Sequence, residues 1–296
     1  MLTLRISLCS LFTWEDNVPR GTITMKVKDH FLSGESFELV KDPHYEYYKT
    51  KPELDIEAIG EYYNTPEYLS HQENSKDVKS FIYNIVKQYM FTRKYKWIAR
   101  YVNKGNWLDF GAGTGEFLDF LPDKYWEKMA FELNKGAVQK IKNKNIPYIA
   151  GYQDTNTRFD VVSAFHAIEH VLDIQAWFTF LKRITKVNAI IAVAVPNYKA
   201  YDARYYQEYW AAYDVPRHQY HFSKKSIHQL FRDNGFQLLD EKPMPLDAYY
   251  ISLISESYRG KKRLFNALKV GSLSNLKALS SKEYSSNLFI FRKLDK

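Results

Sequence analysis

Within residues 107 to 117, WLDFGAGTGEF, Gly111, Gly113 and Gly115 fall two apart between Asp109 and Glu116. Glycine lets a chain take positive φ and approach a ligand closely, so a short apolar run, a glycine turn and a helix together make a nucleotide-binding geometry. The spacing departs from the dinucleotide fingerprint G-x-G-x-x-G, with Glu116 in the place of its third glycine. A pyrophosphate seeks a helix N-terminus free of negative charge. Acidic flanks suit instead a cationic ligand carrying ammonium and sulfonium groups. A P-loop is excluded, since no Gly-Lys-Ser/Thr follows. Glu132 stands 21 residues after Gly111, at the end of the next strand-like run. There a carboxylate can accept hydrogen bonds from both hydroxyls of a ribose, although an isolated glutamate is more often a surface residue.

Two histidine groups hold the remaining candidate chemistry. His166, Glu169 and His170 lie at i, i+3 and i+4 on one helical face, where they could gather around a divalent metal or simply stabilise a local turn. The second reading is adopted: no metal, with His166 lining the ligand pocket close to the reacting group as a candidate catalytic residue. The stretch DVPRHQYHFS, 214 to 223, presents Arg217, His218 and His221 among aromatics. Pro216 forces the residue before it into extended backbone, so this is a loop. Histidine is the side chain best suited to take a proton near neutral pH. His218 is therefore expected as general base and Arg217 as the group that orients an anionic or polar substrate, against the plainer possibility of structural histidines.

The elements that must hold these groups are legible as alternating periods. Val78, Phe81, Ile82, Ile85, Val86 and Tyr89 recur at three- and four-residue steps and predict one packed helical face, ending near Gly105. Short strand-like runs then alternate with helical ones: Trp107-Leu108, Met129 to Phe131, Tyr148 to Ala150, Phe159 to Ala164 and AIIAVAV at 189 to 195. A continuous apolar run of that kind suits a strand covered on both faces, and the alternation predicts a parallel α/β sheet. Ser223 is placed as the N-cap of a helix through Ile227, Leu230 and Phe231, with Gly235 as its stop. Ahead of the histidine loop, Tyr198, Tyr201, Tyr205, Tyr206, Tyr209, Trp210 and Tyr213 mostly share one face, either as core or as a lid over a ring, sugar or lipid head group. Tyr68 and His71 are candidates to close the pocket from the N-terminal side.

At D-x-G-x-G-x-G, Asp109 to Gly115, and at Glu132, the chain resembles the class I S-adenosylmethionine-dependent methyltransferases, over roughly residues 75 to 295. The resemblance implies a Rossmann-like α/β fold: a mostly parallel, seven-stranded sheet with helices on both faces. It implies S-adenosylmethionine as cofactor, with Asp109 and the backbone of Gly111, Gly113 and Gly115 on its methionine part, Glu132 on the ribose and Leu133 against the adenine. Gln153 or Asp154 would meet the adenine amino group, and Phe165 would line the pocket. Through FDVVSAFHAIEHVLD (159 to 173) and VPN (195 to 197) the chain is similar to the branch that includes quinone-biosynthesis O-methyltransferases. Members of that branch often begin with a cysteine-ligated zinc element; here the region reads FELVKDPHYEYY and has no cysteine. The expected organisation is a degenerate extension at 1–74 and a methyltransferase domain at 75–296, with lid insertions near 198–222 and 245–283. The expected reaction is methyl transfer to a small molecule, at a hydroxyl oxygen.

Composition bounds the alternatives. A net charge of +8 and a pI near 9.1 permit an anionic partner without requiring one. The lysines are scattered, and Arg93-Lys94-Tyr95-Lys96 is expected to be a solvated helix face. Methylation of nucleic-acid bases is disfavoured, because Ala164-Phe165-His166 stands where an Asn/Asp-Pro-Pro-aromatic motif would be. A non-catalytic module sits poorly with intact glycines, and an NAD-dependent oxidoreductase with Glu116. Cys9 is the only cysteine, which excludes an intrachain disulfide framework and fits a reducing, cytoplasmic setting. Residues 1–13 read as an irregular leader, interrupted by Arg5, rather than a signal peptide.

Overall fold

The structure, a computed structural model, describes residues 23–63, 78–260 and 263–295. Expectations for Cys9, the leader, Tyr68 and His71 concern residues outside these. In chain order, Ile23–Lys28 (β1), Ser36–Lys41 (β2) and Tyr48–Lys51 (β3) form an antiparallel meander, followed by the short helix Ile56–Glu61 (α1), which Asp55 caps through the amides of Glu57 and Ala58. The helix Val78–Ile98 (α2) leads into Gly105–Phe110 (β4), Glu116–Phe120 (α3), Trp126–Phe131 (β5), Lys135–Asn143 (α4), Tyr148–Ile149 (β6), Phe159–Phe165 (β7), Ile174–Ile184 (α5) and Thr185–Pro196 (β8). Then come Tyr201–Tyr206 (α6), Tyr220–His221 (β9), Lys224–Asp233 (α7), Phe236–Pro243 (β10), Pro245–Tyr258 (α8), Leu264–Ser281 (α9) and Ser286–Lys293 (β11).

The strand order of the large sheet is β10-β11-β8-β7-β4-β5-β6. β8, β7, β4, β5 and β6 run parallel, while β11 is antiparallel to both β8 and β10. Ala189 to Val195 of β8 are all buried, as a strand sandwiched between helical layers demands. One face of the sheet packs Leu108, Phe110 and Phe131 against Trp177, Phe178 and Leu181 of α5 and against Phe231 of α7. The other packs Trp107, Ala130 and Ile190 against Trp97, Ile98, Phe117 and Leu118. Each large side chain removed from water in this way contributes about 1.5–3 kcal/mol. Ser223 caps α7 through a capping box with Ser226, and Gly235 follows at φ 88°.

Two sequence expectations fail on α2. Ile85, Val86 and Tyr89, placed on its packed face, are 54%, 37% and 51% exposed. The helix instead meets the sheet through Met90, Phe91, Trp97 and Ile98, one turn further on and rotated around the axis. Lys94 falls on that packed side and is buried, so it does not belong to a solvated face with Arg93 and Lys96.

The N-terminal meander is joined to the histidine loop. β3 pairs antiparallel with β9, and the amide of Thr50 donates to the carbonyl of Gln219. Tyr198, Tyr206, Trp210 and Tyr213 are buried in the shared core with Val27, Phe37, Leu39 and Tyr48. The tyrosine stretch is thus core between the meander and the helices α8 and α9. Arg217, expected to face a substrate, is 1% exposed. Its guanidinium pairs with Asp29 at 2.8 Å and Asp214 at 2.7 Å, so its charge is consumed in fastening β1 to the loop.

Candidate active site

The glycine turn is shaped by its backbone. Gly111, Gly113 and Gly115 take φ of 72°, 53° and 73°, in the region that disfavours any side chain. At Gly111 a Cβ would also stand 2.6 Å from the Cβ of Ala167, so this glycine lets the turn after β4 lie directly against the turn after β7. At Gly113 a Cβ would meet nothing within 4 Å, which leaves open space over the turn. The amides of Gly111 and Ala112 donate to the Phe131 carbonyl, tying the turn to the end of β5.

Glu132, the next residue, completes the tie. Its Oε2 accepts the Gly113 amide at 2.8 Å, and its Oε1 accepts the amides of Leu133 at 2.9 Å and Asn134 at 2.8 Å. The carboxylate is therefore fixed beside the turn, with Leu133 59% exposed at its side. Gln153 and Asp154 lie in the loop after β6; both are exposed, and Asp154 accepts the Ala150 amide at 3.1 Å.

The charges differ from the acidic bracket expected of the sequence. Glu116 is paired with Lys87 of α2 at 2.8 Å. Asp109 is buried and receives the Ser163 hydroxyl at 2.5 Å, which in turn accepts the indole N–H of Trp107. Burial pushes the Asp109 carboxyl up to about 7, against the opposing pull of Ser163 and Lys94. Burial likewise lowers the Lys94 ammonium, which lies 4.1 Å over the half-buried ring of Phe165. Among the described residues Glu132 has no ion-pair partner.

From Asp109 a line of ionisable groups leads to the histidines. His166 follows β7 at φ 52°, held by its amide to the Ala194 carbonyl. Its ring lies between Asp247 of α8, at 3.2 Å, and Glu169, at 3.5 Å. Burial opposes a charge there, but the two carboxylates prevail and raise His166 to about 9. His166 is thus a cation at neutral pH, which removes it as a general base and leaves it a charged group in the pocket wall. No sequence pattern signalled Asp247, which lies 81 positions from His166 and stands just after Pro245 at the start of a helix.

Glu169 belongs to the short 3-10 turn Ile168–His170, and its carbonyl accepts the amide of Gln219 at 2.7 Å. That bond draws the 214–223 loop onto the turn and sets His218 against His170, ring centroids 4.5 Å apart and nearly perpendicular. A carbonyl can only accept, so Nδ1 of His218, 2.9 Å from the Ala212 carbonyl, carries the proton, and Nε2 has a free lone pair. Burial, and then His170, lower His218 to about 4. Both carboxylate oxygens of Glu169 are buried and, among the described residues, have no hydrogen-bond partner beyond the ion pair with His166. Burial works against that charge, yet the surrounding histidines hold the carboxyl below its usual range.

Glu169, His170 and His218 each offer a ligand atom, all within 4.8 Å of one another, a set able to hold a divalent ion. The sequence-stated trio with His166 is not the one assembled. His221 serves elsewhere: its Nε2 lies 2.9 Å from Thr50 Oγ1, which donates to the His218 carbonyl at 2.6 Å. Tyr63, 2.8 Å from His170 Nδ1, is a further contribution of the N-terminal region that the sequence did not announce. A small cavity with room for about one water molecule adjoins His218, lined by Pro196, Tyr198, Trp210, Tyr220 and Phe222.

A profile of the methyltransferase domain family matches residues 86–241. No curated protein sequence gives a significant match. Among solved structures, a candidate sarcosine dimethylglycine methyltransferase from Galdieria sulphuraria superposes with a TM-score of 0.52 at 16% identity, over 72% of this chain and 87% of its own. Coclaurine N-methyltransferase, bound to N-methylheliamine and SAH, superposes with a TM-score of 0.50 at 12% identity, over 75% of each chain. At these identities the likeness concerns the fold.

Proposed function

This chain belongs to the methyltransferase domain family, and from that premise we propose that it moves a methyl group from S-adenosylmethionine to a hydroxyl oxygen of a small molecule. It is an enzyme of the S-adenosylmethionine-dependent class. The turn fits that cofactor: open space lies over Gly113, and Glu132 is held in place by three amides. Gly111, Gly113 and Gly115 would carry the methionine part, with Asp109 beneath them. Glu132 would take the ribose, Leu133 and Phe165 would flank the adenosine, and Gln153 or Asp154 would meet the adenine. When bound, the cofactor supplies an electrophilic methyl group on a sulfonium.

The observation that carries the choice of oxygen is the Nε2 lone pair of His218. A neutral amine attacks a sulfonium methyl without first losing a proton, whereas a hydroxyl needs a base as it attacks. His218 would accept that proton, and the buried carboxylate of Glu169, which also pairs with His166, would stabilise the imidazolium formed. The helices α8 and α9, packed on the buried 198–222 segment, would cover this side of the site. The extension at 1–74 would serve the domain at 75–296 by clamping the base-bearing loop through β3. A second reading places a divalent ion among Glu169, His170 and His218, on the closeness of their ligand atoms. Incubation with methyl-labelled S-adenosylmethionine and the small-molecule fraction of a cell extract tests the main reading. Label in a methyl ether supports it; label only in methyl esters, in N-methyl products or in RNA overturns it.

Asp109 gives the cofactor site a pH signature. Its carboxyl is raised to about 7, so the folded protein holds this proton more tightly than the unfolded chain. The associated stability is present below pH 4 and is lost as pH rises through about 7. A cationic ligand favours the ionised form, so affinity for S-adenosylmethionine is expected to rise about fivefold from pH 6 to 7. Calorimetry across that range should show the rise, and Asp109→Asn should flatten it; a flat profile in the wild type would rule out direct pairing.

A further inference from the structure

On α9 the small residues face inward and the large apolar ones face water. Ala267, Val270, Gly271, Ser274 and Ala278 are buried, and a Cβ on Gly271 would stand 2.7 Å from the ring of Tyr249 on α8. Phe265, Leu268, Leu276 and Leu279 are 88%, 42%, 62% and 60% exposed. At 3.6 residues per turn these four fall within about 80° of one another, a single outward stripe. α8 extends it. Tyr249 contacts Ser272 and Glu256 contacts Asn266, an antiparallel register that sets exposed Leu253 opposite Leu268. Contiguous exposed apolar surface of this size marks an interaction site.

Along α9 itself the charge is of one sign. From Arg259 to Lys282 the sequence has no aspartate or glutamate; exposed Lys269 borders the stripe, exposed Arg263 and Lys282 cap the two ends of α9, and Lys277 is turned over the ring of Tyr201. We propose that the α8–α9 hairpin docks on an anionic lipid bilayer, with Phe265, Leu268, Leu276 and Leu279 entering the headgroup boundary and the flanking basic residues meeting lipid phosphates. A helix with an exposed apolar stripe, a lysine at its edge and basic residues at both ends has the chemistry of such a surface. A second copy fits less well, because a two-fold contact would bring the same basic borders together. Nucleic acid would satisfy the charges but not the leucines. This surface is independent of methyl transfer.

Sedimentation of the full chain with vesicles tests the proposal. Binding is expected to vesicles containing phosphatidylglycerol, and to fall at least about tenfold on pure phosphatidylcholine or in 0.5 M salt. The double variant Phe265→Ser/Leu276→Ser is expected to lose at least about tenfold in vesicle binding while retaining the wild-type unfolding temperature and cofactor affinity. Because both side chains already face water, the fold has little reason to change. Failure of the wild type to sediment with anionic vesicles overturns the proposal. So does binding that Lys269→Glu abolishes but the double variant leaves intact, which would be charge alone. A stable dimer that the double variant dissociates, without vesicle binding, would assign the stripe to a second copy.

Discussion

Replacing His218 with glutamine is expected to lower turnover by about 10²- to 10⁴-fold and to leave affinity for S-adenosylmethionine within about twofold. Glutamine can still donate to the Ala212 carbonyl, so the loop keeps its anchor, but an amide cannot accept a proton at neutral pH. Two of the neighbouring histidines are committed elsewhere. His166 is occupied by Asp247 and Glu169, and His221 is turned to Thr50. The same variant also separates the two readings of the cluster when combined with chelation. If His218 is the base, EDTA leaves the wild-type rate unchanged; if an ion sits with Glu169 and His170, EDTA abolishes turnover and magnesium or zinc restores it. A His218→Gln enzyme with full turnover would remove the residue from both.

Arg217→Ala is expected to destabilise the protein by about 3–5 kcal/mol, a fall of about 10 °C in unfolding temperature. Asp29 is 2% exposed and accepts the amides of Phe31, Leu32 and Ser33, so its charge cannot escape to solvent when the guanidinium goes. Burial alone would raise the Asp29 carboxyl, but Arg217 and these donors hold it below its usual range. Breaking a buried pair from one side is costly, whereas removing both charges need not be. Asp29→Asn/Arg217→Met is therefore expected to recover part of the loss. Thermal unfolding checks both, and a single variant as stable as wild type would show that the meander is held on by its apolar core alone.

The sheet was readable because its signals are local. The apolar run of β8, the glycine turn and the alternation of strands and helices each lie within a few residues, and the structure has them in the expected order. The place of Glu132 beside the turn was readable because it falls one strand beyond it. The site beyond the turn was not, for a physical reason: its contacts join positions far apart in the chain. Lys94 looked solvated among Arg93 and Lys96, yet it sits between Phe91 and Ile98 at helical spacing, which is the clue that places it inward. Asp247 gave only a carboxylate near the start of a helix. Thr50 and Tyr63 gave nothing, since their roles depend on how the N-terminal meander docks. The acidic fringe of the turn was overestimated because Lys87 is nearly thirty residues from Glu116 and neutralises it in three dimensions.

The central claim is that the turn locked by Glu132 is the seat of S-adenosylmethionine. Calorimetric titration of that compound into the wild type and into Glu132→Ala tests it most directly, with NAD as the control. The expected result is saturable binding to the wild type, a loss of about 10- to 100-fold in the variant from the forfeited hydrogen bonds, and no heat with NAD. Equal affinity in the two proteins, or heat with NAD and none with S-adenosylmethionine, would contradict it.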